Sequence, residues 1–372
     1  MSYPFLDRKK LLLKPLSTRK NKVQLPADAV DPSREPRELS FQARSIMAEV
    51  VDRVRAARNA GRPVMCAFGA HTIKNGLGPI LIRLIRDKWI THLATNGAGI
   101  IHDWELAYQG STSEDVRENI SRGEFGTWDD TGRFINLALL VGAWKGLGYG
   151  QSVGALIAEQ GLEIPQAAEL EAEIARLLPT DPEHAAAGAD LLAALKAFRL
   201  PAGRLEVPHP FARYSAQAVA WSLGVPFTGH PMIGHDIIYE HPLNSGAAVG
   251  RTALTDFLTF AEGVSRLDGG VYLSVGSAVM SPMIFEKSLS MARNLALQSG
   301  KTIERHFILV VDIAESAWDW MKDGEPPVTD PAYYLRYCKT FSRMGGTMRF
   351  MQADNRDFLL TLHHRLQGSA RL

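Results

Sequence analysis

Short apolar runs ending in small residues alternate with stretches of helical period over most of this chain. Residues 38–60 place Phe41, Ile46, Val50, Val51 and Val54 at helical spacing, and Gly61-Arg62-Pro63 ends that helix. Val64–Phe68 reads as a buried strand, Gly78–Lys88 as a helix and Ile90–Ala94 as the next strand. Ser111–Asp115 reads as a helix start with acids in its first turn, and 131–149 is an apolar segment closed by a glycine-rich turn. Residues 166–198 are Ala/Leu/Glu-rich helices, broken at Leu177–Pro182. The strand–helix pattern resumes with a helix over 214–223 and strands at Val225–Phe227, Gly270–Val275, Phe307–Val311 and Met348–Met351. This order predicts a parallel sheet with right-handed crossovers. The expected fold is α/β: residues 38–372 form one three-layer domain with a mostly parallel, Rossmann-like sheet. Residues 1–37 form a basic N-terminal helical arm and linker.

The candidate chemistry lies where the predicted strands end. Gly69–Gly76 is a glycine-flanked polar loop containing His71, Thr72 and Asn75, and it opens a helix. Asn96-Gly97-Ala98-Gly99 follows the next strand. Glycines let a backbone approach a ligand closely, and helix N-termini offer N–H groups to a phosphate, so two such loops suit a nucleotide. The plainer reading is two ordinary βα turns, because the spacing is not G-x-G-x-x-G. Later strands end in Gly276-Ser277-Ala278, Asp312-Ile313-Ala314 and Gln352-Ala353-Asp354, and such ends are where open α/β sheets bind ligands.

Composition narrows the classes. The chain has 372 residues, 46% hydrophobic and 22% charged, with a net charge of +1, so no global field points to nucleic acid or membrane. Cys66 and Cys338 make neither a disulfide framework nor a metal cluster and suit a reducing compartment. No run of 18 apolar residues and no secretory signal occur, so a cytoplasmic protein is expected. Residues 8–22 carry seven Lys/Arg and no acid. They read as a solvated, mobile extension, or as an arm docking on a neighbouring subunit. His230, His235 and His241 lack a recognised zinc spacing, so no metal is expected, and His363-His364 reads as a solvated helix face.

Residues 69–105 resemble the nucleotide-binding half of the deoxyhypusine synthase family, more closely its bacterial deoxyhypusine synthase-like branch. The match rests on the first loop, the following helix and the second loop Thr95–Asp103. It extends more loosely to 213–240, 271–285 and 307–354. The resemblance implies a homotetramer that binds NAD, with sites at a subunit interface. It assigns the cofactor to His71, Thr72, Asn75, Asn96, Gly97, Ala98, Gly99, Asp103, Gly276, Ser277, Asp312, Ala314, Ala353 and Asp354. Tyr337-Cys338-Lys339 aligns with the family's W-G-K segment, which makes Lys339 the nucleophile and Tyr337 a shield for its imine. Tyr333, Tyr334 and Tyr337 would wall such a lysine and lower its pKa by desolvation. Asp236 matches an acid that holds the cationic amine, and Ser281 stands near the family's amine-orienting histidine. Ile101 and His102 replace glutamates, which leaves His102 as a general base near neutral pH.

Three functions are therefore expected, in this order. The first is NAD-dependent transfer of an aminoalkyl (aminobutyl) group through an imine on Lys339, to a small amine as in homospermidine formation or to a protein lysine. The second is an NAD-dependent amine or amino-acid dehydrogenase or deaminase without covalent transfer, with His102 as base. The third is a non-catalytic module that binds NAD or an amine.

Overall fold

The computed structural model describes residues 3–368. Its largest sheet has six strands: β1 (Val64–Phe68), β2 (His92–Asn96), β3 (Phe227–His230), β4 (Val271–Val275), β5 (Phe307–Asp312) and β6 (Thr347–Gln352). All pair in parallel, in the spatial order β3-β2-β1-β4-β5-β6. The chain winds outward from β1 to β3, returns to the middle at β4 and winds out the other way. This is the doubly wound dinucleotide-binding order, and the order reverses between β1 and β4.

The first helices are α1 (Phe41–Asn59), α2 (Ala70–Lys74), α3 (Gly78–Arg86), α4 (Gly97–Gln109) and α5 (Val116–Arg122). Then come α6 (Asp129–Trp144), α7 (Tyr149–Ala158), α8 (Ala167–Leu177), α9 (Pro182–Phe198) and α10 (Ala216–Leu223). The last are α11 (Gly246–Ser265), α12 (Met280–Gln298), α13 (Arg336–Ser342) and α14 (Asn355–Gln367). Their starts follow from short polar side chains. Ser40, Asp115 and Asp181 accept the Ala43, Glu118 and His184 N–H groups, and Pro182 sits where a missing N–H costs nothing. The Asn96–Gly99 stretch read as a loop is the end of β2 and the first turn of α4.

The chain divides into two compact units. A sheet unit comprises Asp28–Gly99, Ala220–His230 and the chain from Phe257 onward; a helical unit comprises the chain up to Ala27, Ile100–Val219 and Pro231–Asp256. Residues 38–372, read as one domain, are thus shared between both, and so is the 1–37 segment.

In the sheet unit, β1 and β4 are buried along their whole length. Met65, Ala67, Tyr272, Ile308 and Val310 pack on one face against Phe260 and Val264 of α11, Phe285 and Leu289 of α12 and Phe341 of α13. On the other side α1 packs along β1, β4 and β6, and α14 along β5. Covering both faces with helices is why these strands read as continuous apolar runs and not as alternating ones. Cys66 and Cys338 are buried free thiols. His363 turns inward and is buried, contrary to the solvated face expected for it, because its position on α14 falls on the packed side; His364 reaches the Pro32 carbonyl.

In the helical unit, α8 and α9 form a hairpin, and α6 packs on α7 and α9. The basic arm is an ordered part of this unit. Arg8 donates to the Tyr239 carbonyl and Asn244, Lys14 pairs with Glu124, and Lys22 with Asp115. Arg19 is buried and grips both oxygens of Glu105. Among the described residues no helix is long and apolar enough to cross a membrane.

Candidate functional site

The five small-residue strand ends all lie in the sheet unit, at the carboxyl edge of the sheet. At the reversal point the backbones after β1 and β4 touch. The Gly69 N–H donates to Val275, and a Cβ at Gly69 would stand 2.1 Å from the Gly276 carbonyl oxygen. Gly276 has φ +56, and a Cβ there would meet the Asn355 amide at 2.4 Å. Asn355 also donates to the Thr72 hydroxyl. Glycine at these positions lets the backbones after β1 and β4 and the Asn355 side chain pack directly on one another at the reversal point, the place where an open α/β sheet binds its ligand. A third glycine plays the same part at β2. A Cβ at Gly99 would stand 2.1 Å from the Thr95 hydroxyl, which itself bonds to the Phe68 carbonyl.

The other expected cofactor residues divide by position. Asn96 caps α4 by accepting the Gly99 N–H, which leaves Gly97 and Ala98 in the helix's first turn. Ser277 accepts the Ser281 N–H at the start of α12. Asp312, at the end of β5, accepts the Ala314 N–H, and its main chain accepts that of Ala353. Asp354 caps α14 through the Arg356 N–H. These groups form one row across β2, β1, β4, β5 and β6. His71 is exposed in α2, and partial burial with the nearby Lys74 charge lowers its pKa. Asn75 closes the far end of α2. Gly76 serves the fold: at φ +77 it packs on the Asp28 backbone.

Lys339 and Tyr337 project from α13 in the same unit. The Tyr337 hydroxyl is bonded to Asp312; burial first, then the Asp312 charge, pushes its pKa up. Lys339 is ion-paired with Glu325 and lies 4.7 Å from the centre of the Tyr333 ring. Arg343 shares Glu325, and the two cations hold the Glu325 carboxyl below its usual range. Tyr333 thus forms one of the aromatic walls expected around Lys339. Ser281 is wholly buried, with its hydroxyl 2.8 Å from that of Tyr272, so it belongs to the core beneath the edge.

His102, Asp103 and Asp236 lie in the helical unit. Asp103 is committed to the start of α10: it accepts from the Ser215 hydroxyl, the Ala216 and Gln217 N–H groups and the Gln217 amide. Burial outweighs these bonds and raises its pKa. His102 heads a relay. Its Nδ1 lies 2.7 Å from the Thr112 hydroxyl, which donates to Glu105. A hydroxyl has one proton, and Thr112 gives it to the carboxylate. His102 Nδ1 is therefore the donor, which makes Nε2 the basic nitrogen. Burial pushes the Glu105 carboxyl up, but the Arg19 guanidinium outweighs it and holds the carboxyl below its usual range.

Asp236 precedes the 3-10 turn Ile237–Glu240 without capping it. Its Oδ2 is buried without a protein partner among the described residues, as are the hydroxyls of Tyr149 and Tyr239. Burial pushes the Asp236 pKa up to about 7, and its charge acts on both tyrosines. The tyrosines, the Glu105 relay and Asn355 were not found from sequence. Asn355 alone had a signal, as a helix start directly after Ala353-Asp354. His230 bonds to Thr228 and His241 to Asp129, and no group of three metal-ligating side chains occurs among the described residues.

No protein-family model and no curated protein matches the chain. Among solved structures it is similar to AgrE in a ternary complex with ornithine and NAD+, at 14% identity and TM-score 0.44, over 90% of this chain and 34% of that one. It is similar to apo ArgZ, an arginine dihydrolase from the ornithine–ammonia cycle in cyanobacteria, at 13% identity and TM-score 0.46, over 91% of this chain and 33% of that one. A conserved putative LOR/SDH protein from Methanococcus maripaludis S2 gives 12% identity and TM-score 0.46, over 93% and 74%. The chain thus spans about a third of the length of AgrE and ArgZ.

Proposed function

We propose that the sheet unit binds a nicotinamide dinucleotide along its carboxyl edge, and that the protein uses it to oxidise an amine or amino acid as a dehydrogenase or deaminase. The observation that carries the dinucleotide is the strand order β3-β2-β1-β4-β5-β6, with Gly69 and Gly276 apposed at the reversal point. The residues present fit such a group. Gly69, Gly99 and Gly276 bring the backbone of three strand ends close together at the reversal point, and Asp312 and Asp354 offer carboxylates to ribose hydroxyls at neighbouring strand ends.

A bound nicotinamide supplies a hydride acceptor. The substrate ammonium must first shed a proton. Within the helical unit taken by itself, His102 can accept a proton at Nε2, because the relay through Thr112 ends on a carboxylate that balances the imidazolium. The amine class rests on the resemblance of 69–105 to deoxyhypusine synthases. Asp236 adds to it, as a buried carboxylate beside two phenols that suits an ammonium.

Aminoalkyl transfer through Lys339 is the second reading, favoured by the place of Lys339 against Tyr333 and beside Tyr337. We rank it second because its ion pair with Glu325 opposes the neutral amine that imine formation requires. One experiment separates the two. Wild type and Lys339→Ala are incubated with NAD+ and, separately, ornithine, lysine, putrescine or spermidine. NADH formation is followed by absorbance, and a borohydride-reduced sample is read by intact mass. The first reading expects NADH from at least one amine, no adduct, and full turnover in Lys339→Ala. A NAD-dependent aminoalkyl adduct on Lys339, lost with turnover in the variant, would overturn it in favour of transfer.

A further inference from the structure

The amino edge of the same sheet, opposite the contact of Gly69 with Gly276, carries a cavity of about 300 Å³. Its exposed apolar surface comes from Pro63 before β1 and Pro226 before β3, over the buried Met65, with Thr91 and His92 beside them. Three arginines reach it from two helix ends, Arg58 and Arg62 around the turn that closes α1, and Arg266 just past α11. Arginines at the end of a helix have an ordinary use in bonding its last carbonyls. Arg58 does this in part. Its Nε donates to the Lys88 carbonyl at 2.8 Å and its Nη1 to the Arg62 carbonyl at 2.9 Å. Those bonds fix the plane of the guanidinium and leave Nη2 without a partner among the described residues. The Arg62 side chain makes no hydrogen bond or ion pair among them either. Arg266 lies 3.5 Å from Glu262, but both side chains are about two-thirds exposed (68% and 65%), and such a pair holds its members weakly. The charge of Arg266 reaches His92 on the cavity wall. Burial holds the His92 pKa down at about 3, so the imidazole is neutral and does not compete for an anion.

Gly263 completes the wall. A Cβ there would stand 2.8 Å from the Met65 methyl and 3.2 Å from His92 Nδ1, so glycine lets α11 close on the floor of the cavity. The result is a recess with an apolar base and a rim of three guanidiniums offset by one exposed carboxylate. Guanidiniums pair with phosphate and carboxylate oxygens in a bidentate fashion, and an apolar base selects against a bare inorganic ion. The volume lies at the lower end of that of ligand pockets.

We propose that this cavity is a binding site for a small organic anion, a phosphate or carboxylate group held by Arg58, Arg62 and Arg266 with an apolar body against Pro63 and Pro226. It is separate from the dinucleotide crevice and does not depend on the function proposed above. Isothermal titration calorimetry on the full chain tests it with three probes: inorganic phosphate, phenyl phosphate and phenylacetate. The expected result is saturable binding of phenyl phosphate or phenylacetate, at least tenfold tighter than inorganic phosphate. The tighter of the two aromatic probes identifies the head group. Arg62→Gln and Arg266→Gln, exposed positions whose variants should keep the wild-type circular dichroism spectrum and melting temperature, each weaken that binding at least tenfold and leave NADH affinity unchanged. Saturation unaltered in both variants would place the anion elsewhere and overturn the proposal. So would the absence of saturable binding for all three probes.

Discussion

Asp236 shows how a single side chain separates a binding role from a structural one. Burial disfavours its charge and pushes its pKa up to about 7 in the folded chain, from 3.8 for a solvated aspartate. A folded-state pKa raised in this way means that the folded chain holds the proton longer than the unfolded chain. Stability is then fully present below about pH 4 and is lost as pH rises through 7. Asp236→Asn removes the charge at constant size. The variant is expected to be more stable than wild type at pH 8, by about 2–4 kcal/mol from a shift of this size, and to show no gain at pH 4. Thermal melts of both proteins across pH 4–8 read this directly. A variant less stable at pH 8 would mean that the carboxylate is held by a partner that wants it charged. Arg19 is the opposite case, a buried cation already satisfied by Glu105. Arg19→Ala leaves that carboxylate buried without its guanidinium and is expected to cost about 3–5 kcal/mol in urea unfolding, whereas loss of an exposed pair such as Lys22–Asp115 is expected to change stability far less.

Among the elements, strands and helices were legible where one period dominated. The run Val64–Phe68 and the spacing of Val50, Val51 and Val54 are consequences of burial on both faces of a parallel sheet, and burial is what an apolar pattern records. The breaks at Gly61-Arg62-Pro63 and Leu177–Pro182 were legible for a local reason, since glycine and proline act on their own backbone. Long-range pairings were not. Nothing local in Arg19 announces Glu105, and Asp103 reads equally as a cofactor ligand until Ser215 and Gln217 are seen to surround it. Gly69 and Gly76 look alike in sequence, yet one faces Gly276 at the crevice and the other packs on Asp28. The pair therefore makes a test at the level of the βα unit. Gly69→Ala places a methyl 2.1 Å from a backbone oxygen. It is expected to cost about 1–3 kcal/mol and to weaken dinucleotide binding at least tenfold. Asp103→Asn, which weakens the cap of α10, is expected to lower the melting temperature without changing dinucleotide affinity. A large change in affinity for Asp103→Asn at unchanged stability would return Asp103 to the cofactor site.

For the whole chain, the outward winding from β1 to β3 and again from β4 to β6 brings five strand ends, far apart in sequence, to one edge. That gathering could be inferred from strand–helix alternation. The position of the reversal, and hence which two loops face each other, required the strand order itself. The nicotinamide dinucleotide proposed above would accordingly lie across the carboxyl edge where Gly69 meets Gly276. Titration of the full chain with NADH, followed by fluorescence and repeated with NAD+ by calorimetry, tests this central claim most directly. One saturable site per chain is expected, with a dissociation constant in the micromolar range typical of cofactor and substrate sites, on the order of 1–100 μM. Displacement of NADH by NAD+ is expected as well. A folded wild-type chain that shows no saturable binding of either form would contradict the claim.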